Sequence, residues 1–272
     1  MSLDKKILKK IKTLAYQNAF NDKQTKGFID LVNSGTSIDK AIEMVEEGDL
    51  PKNVSVKKYD TEKNIIDEMI MSEQAREAIE ACKQAIRIDP DNRDAHINLG
   101  IAYGELGVYK EAIESFKQVI RIDPDLAEGH YNLGLVYGKT GKLKKAIEEL
   151  KQAIRIDPEY ANAHNNLGLA YNESGMYEEA IEACKQAIRF DPDDAKPHIN
   201  LGLAYDESGM YQEAIEAYKQ AIRIDPDYAD VHNNLGLAYV HLNDRDSALE
   251  QYEILKKLDS DLANKLFNMI CK

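Results

Sequence analysis

The dipeptide Asp-Pro occurs at Asp89-Pro90, Asp123-Pro124, Asp157-Pro158, Asp191-Pro192 and Asp225-Pro226, each 34 residues after the one before. Leu-Gly keeps the same step at Leu99-Gly100, Leu133-Gly134, Leu167-Gly168, Leu201-Gly202 and Leu235-Gly236. Three residues after each of these glycines stands a tyrosine: Tyr103, Tyr137, Tyr171, Tyr205 and Tyr239. One register held over five copies requires a repeat architecture, in which each unit buries its apolar face on its neighbours. Within a unit the apolar spacing is helical. Ala95, Leu99, Ala102 and Tyr103 share one face of a first helix, and Ala112, Ile113, Phe116, Val119 and Ile120 one face of a second. Gly107 separates the two, and Asp123-Pro124 stops the second, because proline cannot continue a helix and disfavours helical backbone just before it.

The pattern Asn-Leu-Gly-x-x-Tyr, then Gly, then Ala-Ile, then an apolar position, then Asp-Pro resembles the tetratricopeptide repeat over about residues 72–262. The resemblance implies an all-α fold: a right-handed α-solenoid of helix-turn-helix repeats, preceded by a small helical N-terminal segment. The expected division is a short helical segment and linker at 1–58, a degenerate unit at 59–92, five units at 93–262 and a C-terminal capping helix at 263–272. The chain departs from the family pattern in instructive places. Histidine stands where the family has tryptophan, at His96, His130, His164, His198 and His232. The apolar position of the second helix is Phe116, Leu150, Cys184, Tyr218 and Tyr252, with Cys82 in the leading unit. The last unit has Asn243 in place of glycine and Ser260 in place of proline.

Residues 1–58 do not repeat. They read as three helices, 3–20, 22–32 and 37–47, followed by an extended piece. They hold 11 Lys against 8 Asp and Glu, a net charge of +3, whereas the remainder carries −16. The whole chain is at −13, so nucleic acid, which needs a basic surface, is excluded as a partner. A recognition-helix reading of 22–47 fails on Asp39, Glu43, Glu46 and Glu47. No apolar run approaches the roughly 20 residues of a membrane span, and no secretory signal is read at the N-terminus. Three widely spaced cysteines argue against a disulfide framework and for a reducing, cytoplasmic setting.

No nucleotide-binding, zinc-protease or hydrolase motif is found, so no catalytic residue, metal site or cofactor is expected. The histidines, one per unit, are expected to fill the site of the family's aromatic. Equivalent positions in stacked units lie about 10 Å apart, too far to share a metal. Cys82 and Cys184 are three units apart and are read as buried small hydrophobes.

The asparagines carry the binding hypothesis. Asn98, Asn132, Asn166, Asn200 and Asn234 recur two residues before each glycine. In tetratricopeptide proteins this part of the first helix lines the concave groove, where an amide with an acceptor and two donors would pair with a peptide backbone. The candidate peptide-binding set is these five with Tyr131, Asn165, Asn233, Leu135, Leu169 and Leu203. The apolar row Ile101, Leu135, Leu169, Leu203 and Leu237 either faces the groove as a binding stripe or turns inward as core. Acidic positions outnumber basic ones at the groove edge, and of the lysine clamp that grips acidic peptide C-termini in some relatives only Lys196 is near its place. The expected function is a non-enzymatic protein-interaction scaffold that takes an extended or helical segment, neutral or basic where it is bound. The alternatives are a self-assembling scaffold, a homo-oligomer, or a non-catalytic regulatory subunit. Binding at a membrane, through the basic N-terminal helix, is the less favoured expectation.

Overall fold

The computed structural model describes residues 73–271. Expectations for residues 1–58, and for the first helix of the degenerate unit, lie outside the described residues. The described chain holds twelve α-helices: α1 (Glu73–Ile88), α2 (Arg93–Glu105), α3 (Tyr109–Ile122), α4 (Ala127–Lys139), α5 (Leu143–Ile156), α6 (Ala161–Glu173), α7 (Tyr177–Phe190), α8 (Ala195–Glu207), α9 (Tyr211–Ile224), α10 (Ala229–His241), α11 (Arg245–Leu258) and α12 (Ser260–Ile270). Among the described residues there is no strand.

The chain divides into two compact units, residues 1–84 with 105–108, and residues 85–104 with 109–272. In the described part of the first, Ile79 is buried and Lys83 pairs with Glu80 at 3.0 Å. The second unit is the solenoid. From α3 to α12 each helix packs on the next in the chain. The first helix α6 also touches α4 and α8, whereas no comparable contact among the described residues joins the second helices α5, α7 and α9 to one another. This closer spacing of α4, α6 and α8 makes the first helices there the inner row of the stack.

The two helices of a repeat approach closely because glycine and alanine face each other across the pair. Ala112, Ala146, Ala180, Ala214 and Ala248 are essentially fully buried. A Cβ on Gly100 would come within 2.7 Å of the Phe116 ring, and one on Gly134 within 2.9 Å of Leu150. Gly168 meets Cys184, and Gly202 meets the Tyr218 ring, in the same way. In the last repeat the partner changes: Gly236 meets Leu266 of α12, and Tyr252 instead packs its ring against Phe267 at 5.0 Å. The terminal helix thus fills the position that a second-helix side chain fills elsewhere, with Ala263, Leu266 and Ile270 buried.

The turn between helices places Gly141, Gly175 and Gly209 at φ of +69°, +72° and +79°. Asn243 takes this place in the last repeat at φ +57°, which asparagine tolerates better than most side chains. The turn between repeats is held at both ends. Asp157 Oδ1 accepts from the Glu159 N–H at 3.1 Å, as Asp89 and Asp225 do from Asp91 and Asp227. The following proline carbonyl accepts from a histidine ring six residues on: His96 at 3.1 Å, His130 at 3.3 Å, His164 and His232 at 2.9 Å. A carbonyl only accepts, so each of these rings carries its hydrogen on Nε2.

Candidate functional site

The eleven candidate residues fall on the first helices α2, α4, α6, α8 and α10. Their surroundings differ along it. Asn98 is exposed, Asn132, Asn166, Asn233 and Asn234 are half-buried, and Asn165 and Asn200 are buried at 6% and 9% exposure. The ladder is therefore not uniform. Asn200 Nδ2 donates to Asn165 Oδ1 at 2.8 Å, across the contact of α6 with α8. The backbone carbonyl of Asn200 accepts from Asn172 Nδ2 at 2.8 Å. These amides tie one repeat to the next, which the sequence did not announce.

Asn166 Nδ2 donates to the Asn162 carbonyl at 2.8 Å and to the Tyr131 hydroxyl at 3.3 Å. The Tyr131 ring lies 4.9 Å from that of Tyr160. Burial raises the Tyr131 phenol, with the Asn166 hydrogen bond opposing, and burial with Tyr131 beside it pushes Tyr160 up to about 12. Both phenols stay protonated, and so neutral, over the physiological range. Tyr131 and Asn166 are thus joined, and so are Asn165 and Asn200. No side-chain hydrogen bond links Asn98, Asn132, Asn233 or Asn234 to another candidate.

The apolar row is graded as well. Ile101 and Leu169 are exposed at 37% and 36%, and Leu135, Leu203 and Leu237 are half-buried. It is neither a fully open stripe nor core. Asp94, Glu128, Glu173, Glu207 and Asp230 near the row are exposed, while Asp206 is half-buried and its carboxyl is raised chiefly by that burial. A cavity of about 570 Å³ opens elsewhere, between α7, α8 and α9, lined among others by Lys185, Ile188, His198, Leu201, Tyr205 and Glu216. None of the eleven candidates lines it.

Among the described residues no group of three or more His, Cys, Asp or Glu is arranged to hold a metal. No described helix is long and apolar enough to cross a membrane.

The sequence profile of the Cilia and flagella-associated protein 70 C-terminal domain matches residues 36–264. No curated protein matches the chain. Among solved structures, MamA protein is 30% identical, with a TM-score of 0.57, over 63% of this chain and 94% of that one. TTC0263, a thermophilic TPR protein of Thermus thermophilus, is 26% identical, with a TM-score of 0.52, over 66% of this chain and 100% of that one. YrrB, described as a TPR protein with an unusual peptide-binding site, shares the fold at 22% identity and a TM-score of 0.59, over 70% of this chain and 99% of that one.

Proposed function

The chain belongs to the family of the cilia and flagella-associated protein 70 C-terminal domain, a tetratricopeptide-repeat family, and from that premise we propose that its inner row of first helices binds a peptide segment of a protein partner. The observation that carries this reading is the exposure of Ile101 and Leu169 on the concave row, next to amides that still have free hydrogen-bonding capacity. Exposed apolar side chains on a concave surface gain by being covered. Asn98, Asn132 and Asn234, with the carbonyl oxygen of Asn166, supply backbone-pairing groups beside Leu135, Leu169 and Leu203. Asn165 and Asn200 support the row from within. The exposed Asp94, Glu128, Glu173, Glu207 and Asp230 favour a segment that is neutral or basic. The role is non-catalytic, and the free thiols Cys82, Cys184 and Cys271 suit a reducing, cytoplasmic setting.

The test is selection of peptides from a random library on the full chain, followed by calorimetric titration. Replacing Asn98, Asn132 and Asn166 by Ala should weaken the selected peptides by about 2–4 kcal/mol, at roughly 0.5–1.5 kcal/mol per hydrogen bond. That is tens to several hundred-fold in affinity. Leu169→Glu should abolish binding with the helical circular dichroism unchanged. Peptides that bind these variants as well as the parent would end the reading.

A further inference from the structure

The edge formed by the turns between the two helices of each repeat changes sign from one repeat to the next. Lys139, Lys144 and Lys145 are followed 34 residues on, position for position, by Glu173, Glu178 and Glu179. Glu207 and Glu213 continue the acidic stretch in the repeat after that. Lys142 adds a fourth cation to the basic turn, and all of these side chains are exposed.

Two facts set the basic turn apart. The helices α3, α7, α9 and α11 each place an acidic residue in their first turn, as the positive end of a helix favours. The first turn of α5 has none and carries Lys144 and Lys145 instead. Local helix stability does not account for that choice. Nor do the lysines pair with carboxylates among the described residues: no ion pair there involves any of the four, and Lys142 and Lys145 overlie the Tyr137 ring at 6.0 and 5.5 Å. The second, independent fact is apolar. Where the basic repeat has Lys142, the next two have Met176 and Met210, exposed at 37% and 41% on the same edge.

We propose that this turn edge is a self-complementary surface that pairs with the same edge of a second copy of the chain. A two-fold axis between the repeat of α4–α5 and that of α6–α7 would set Lys139, Lys144 and Lys145 of each copy against Glu173, Glu178 and Glu179 of the other. The contact is made twice, as an isologous dimer requires. The same rotation lays the aliphatic stem of Lys142 on Met176 of the second copy, covering the methionine while the ammonium stays wet. A second copy is favoured over an unrelated acidic partner because the matching acidic edge stands in register one repeat away. Glu173 and Glu207 also stand near the inner row, but none of the eleven peptide-binding candidates lies on this edge, and the reversals at Lys144, Lys145, Glu178 and Glu179 test it without touching them.

The experiment is sedimentation of the full chain at ~100 µM, a concentration that reveals weak pairing. It is run at about 0.01 M and about 1 M salt, where the screening length falls from roughly 30 Å to 3 Å. The parent chain should dimerise at low salt and dissociate at high salt. Lys144→Glu with Lys145→Glu, and separately Glu178→Lys with Glu179→Lys, should each weaken the dimer by about tenfold or more. An equimolar mixture of the two variants should recover a heterodimer, since each then offers what the other lacks. That recovery also shows that both variants are folded. A parent monomeric at both salts, a dimer indifferent to the reversals, or a mixture that fails to pair would overturn the proposal. So would a monomeric parent that binds polyglutamate and loses it in the Lys144→Glu, Lys145→Glu variant, because the edge would then serve a foreign acidic chain.

Discussion

Asn200 and Asn165 are hydrogen-bonded to each other, Nδ2 to Oδ1 at 2.8 Å, with both side chains buried between α8 and α6. A pair of amides 35 residues apart thus joins neighbouring repeats through their first helices. Two asparagines in a row that a partner was expected to read are already occupied by the fold.

Asn200→Ala should therefore destabilise the chain by about 1–3 kcal/mol, because it strands the buried Asn165 oxygen. Asn98→Ala, at an exposed position, should stay within about ±0.5 kcal/mol. Asn165→Leu with Asn200→Leu removes both polar groups together and should cost less than Asn200→Ala alone. Urea unfolding of the four proteins checks this. Equal small effects at Asn98 and Asn200 would mean that the buried pair contributes nothing.

The repeat itself was legible in the sequence because one local rule recurs: the Asp-Pro stop five times, and the turn glycine and the glycine facing an apolar residue 16 positions on in every repeat but the last. The histidine's bond was also written there, since His96, His130, His164, His198 and His232 each stand six residues after a proline. A comparison with the family hides that bond, because the aromatic expected at this position is read as filling space. The fate of the asparagines was not legible. Whether a side chain one turn of helix from the core faces water or the next repeat depends on the stagger between repeats, which no single unit encodes. The exposure of the apolar row, from exposed Ile101 to half-buried Leu135, was not legible for the same reason.

The last repeat closes differently from the others, and this too can be tested. Leu266 of α12 is fully buried against Gly236, in the place that Phe116, Leu150, Cys184 or Tyr218 takes elsewhere. Leu266→Ala should cost about 2–5 kcal/mol, the range for a buried leucine. Gly236→Ala should be less harmful in that background than in the parent, because the space its Cβ needs, within 2.5 Å of Leu266, has been vacated. Additive effects in thermal unfolding would show that the two positions are not in contact.

The thiols should separate by reactivity. Cys184 is fully buried, and burial pushes its pKa up to about 12, so at neutral pH it holds almost no thiolate, the reactive form. Burial also raises the half-buried Cys82, while Cys271 is exposed. A chromogenic disulfide reagent at mild alkaline pH should modify Cys271 first. Cys184 should react only as fast as the solenoid opens, and should accelerate in denaturant. Prompt labelling of Cys184 in the native chain, read by peptide mass, would contradict its burial.

His198 gives the solenoid a pH dependence whose sign is fixed by its surroundings. Burial is the largest influence and lowers its pKa below the ordinary 6.5. Arg223 acts in the same sense, and the Pro192 carbonyl and Asp194 oppose it. Because the folded state then binds the proton less readily than the unfolded chain, stability rises with pH through this window. The contribution is complete above the unfolded value near 6.5 and is lost as the pH falls toward the lower folded value. His198→Gln keeps a polar side chain but cannot titrate, so it should flatten this part of the stability profile while changing the plateau above neutrality much less. Proton NMR of the ring should give a midpoint below 6.5, alongside urea unfolding from acid to neutral pH. A midpoint at or above 6.5, or a parent and variant whose stabilities fall in parallel on acidification, would show that another group sets the acid response.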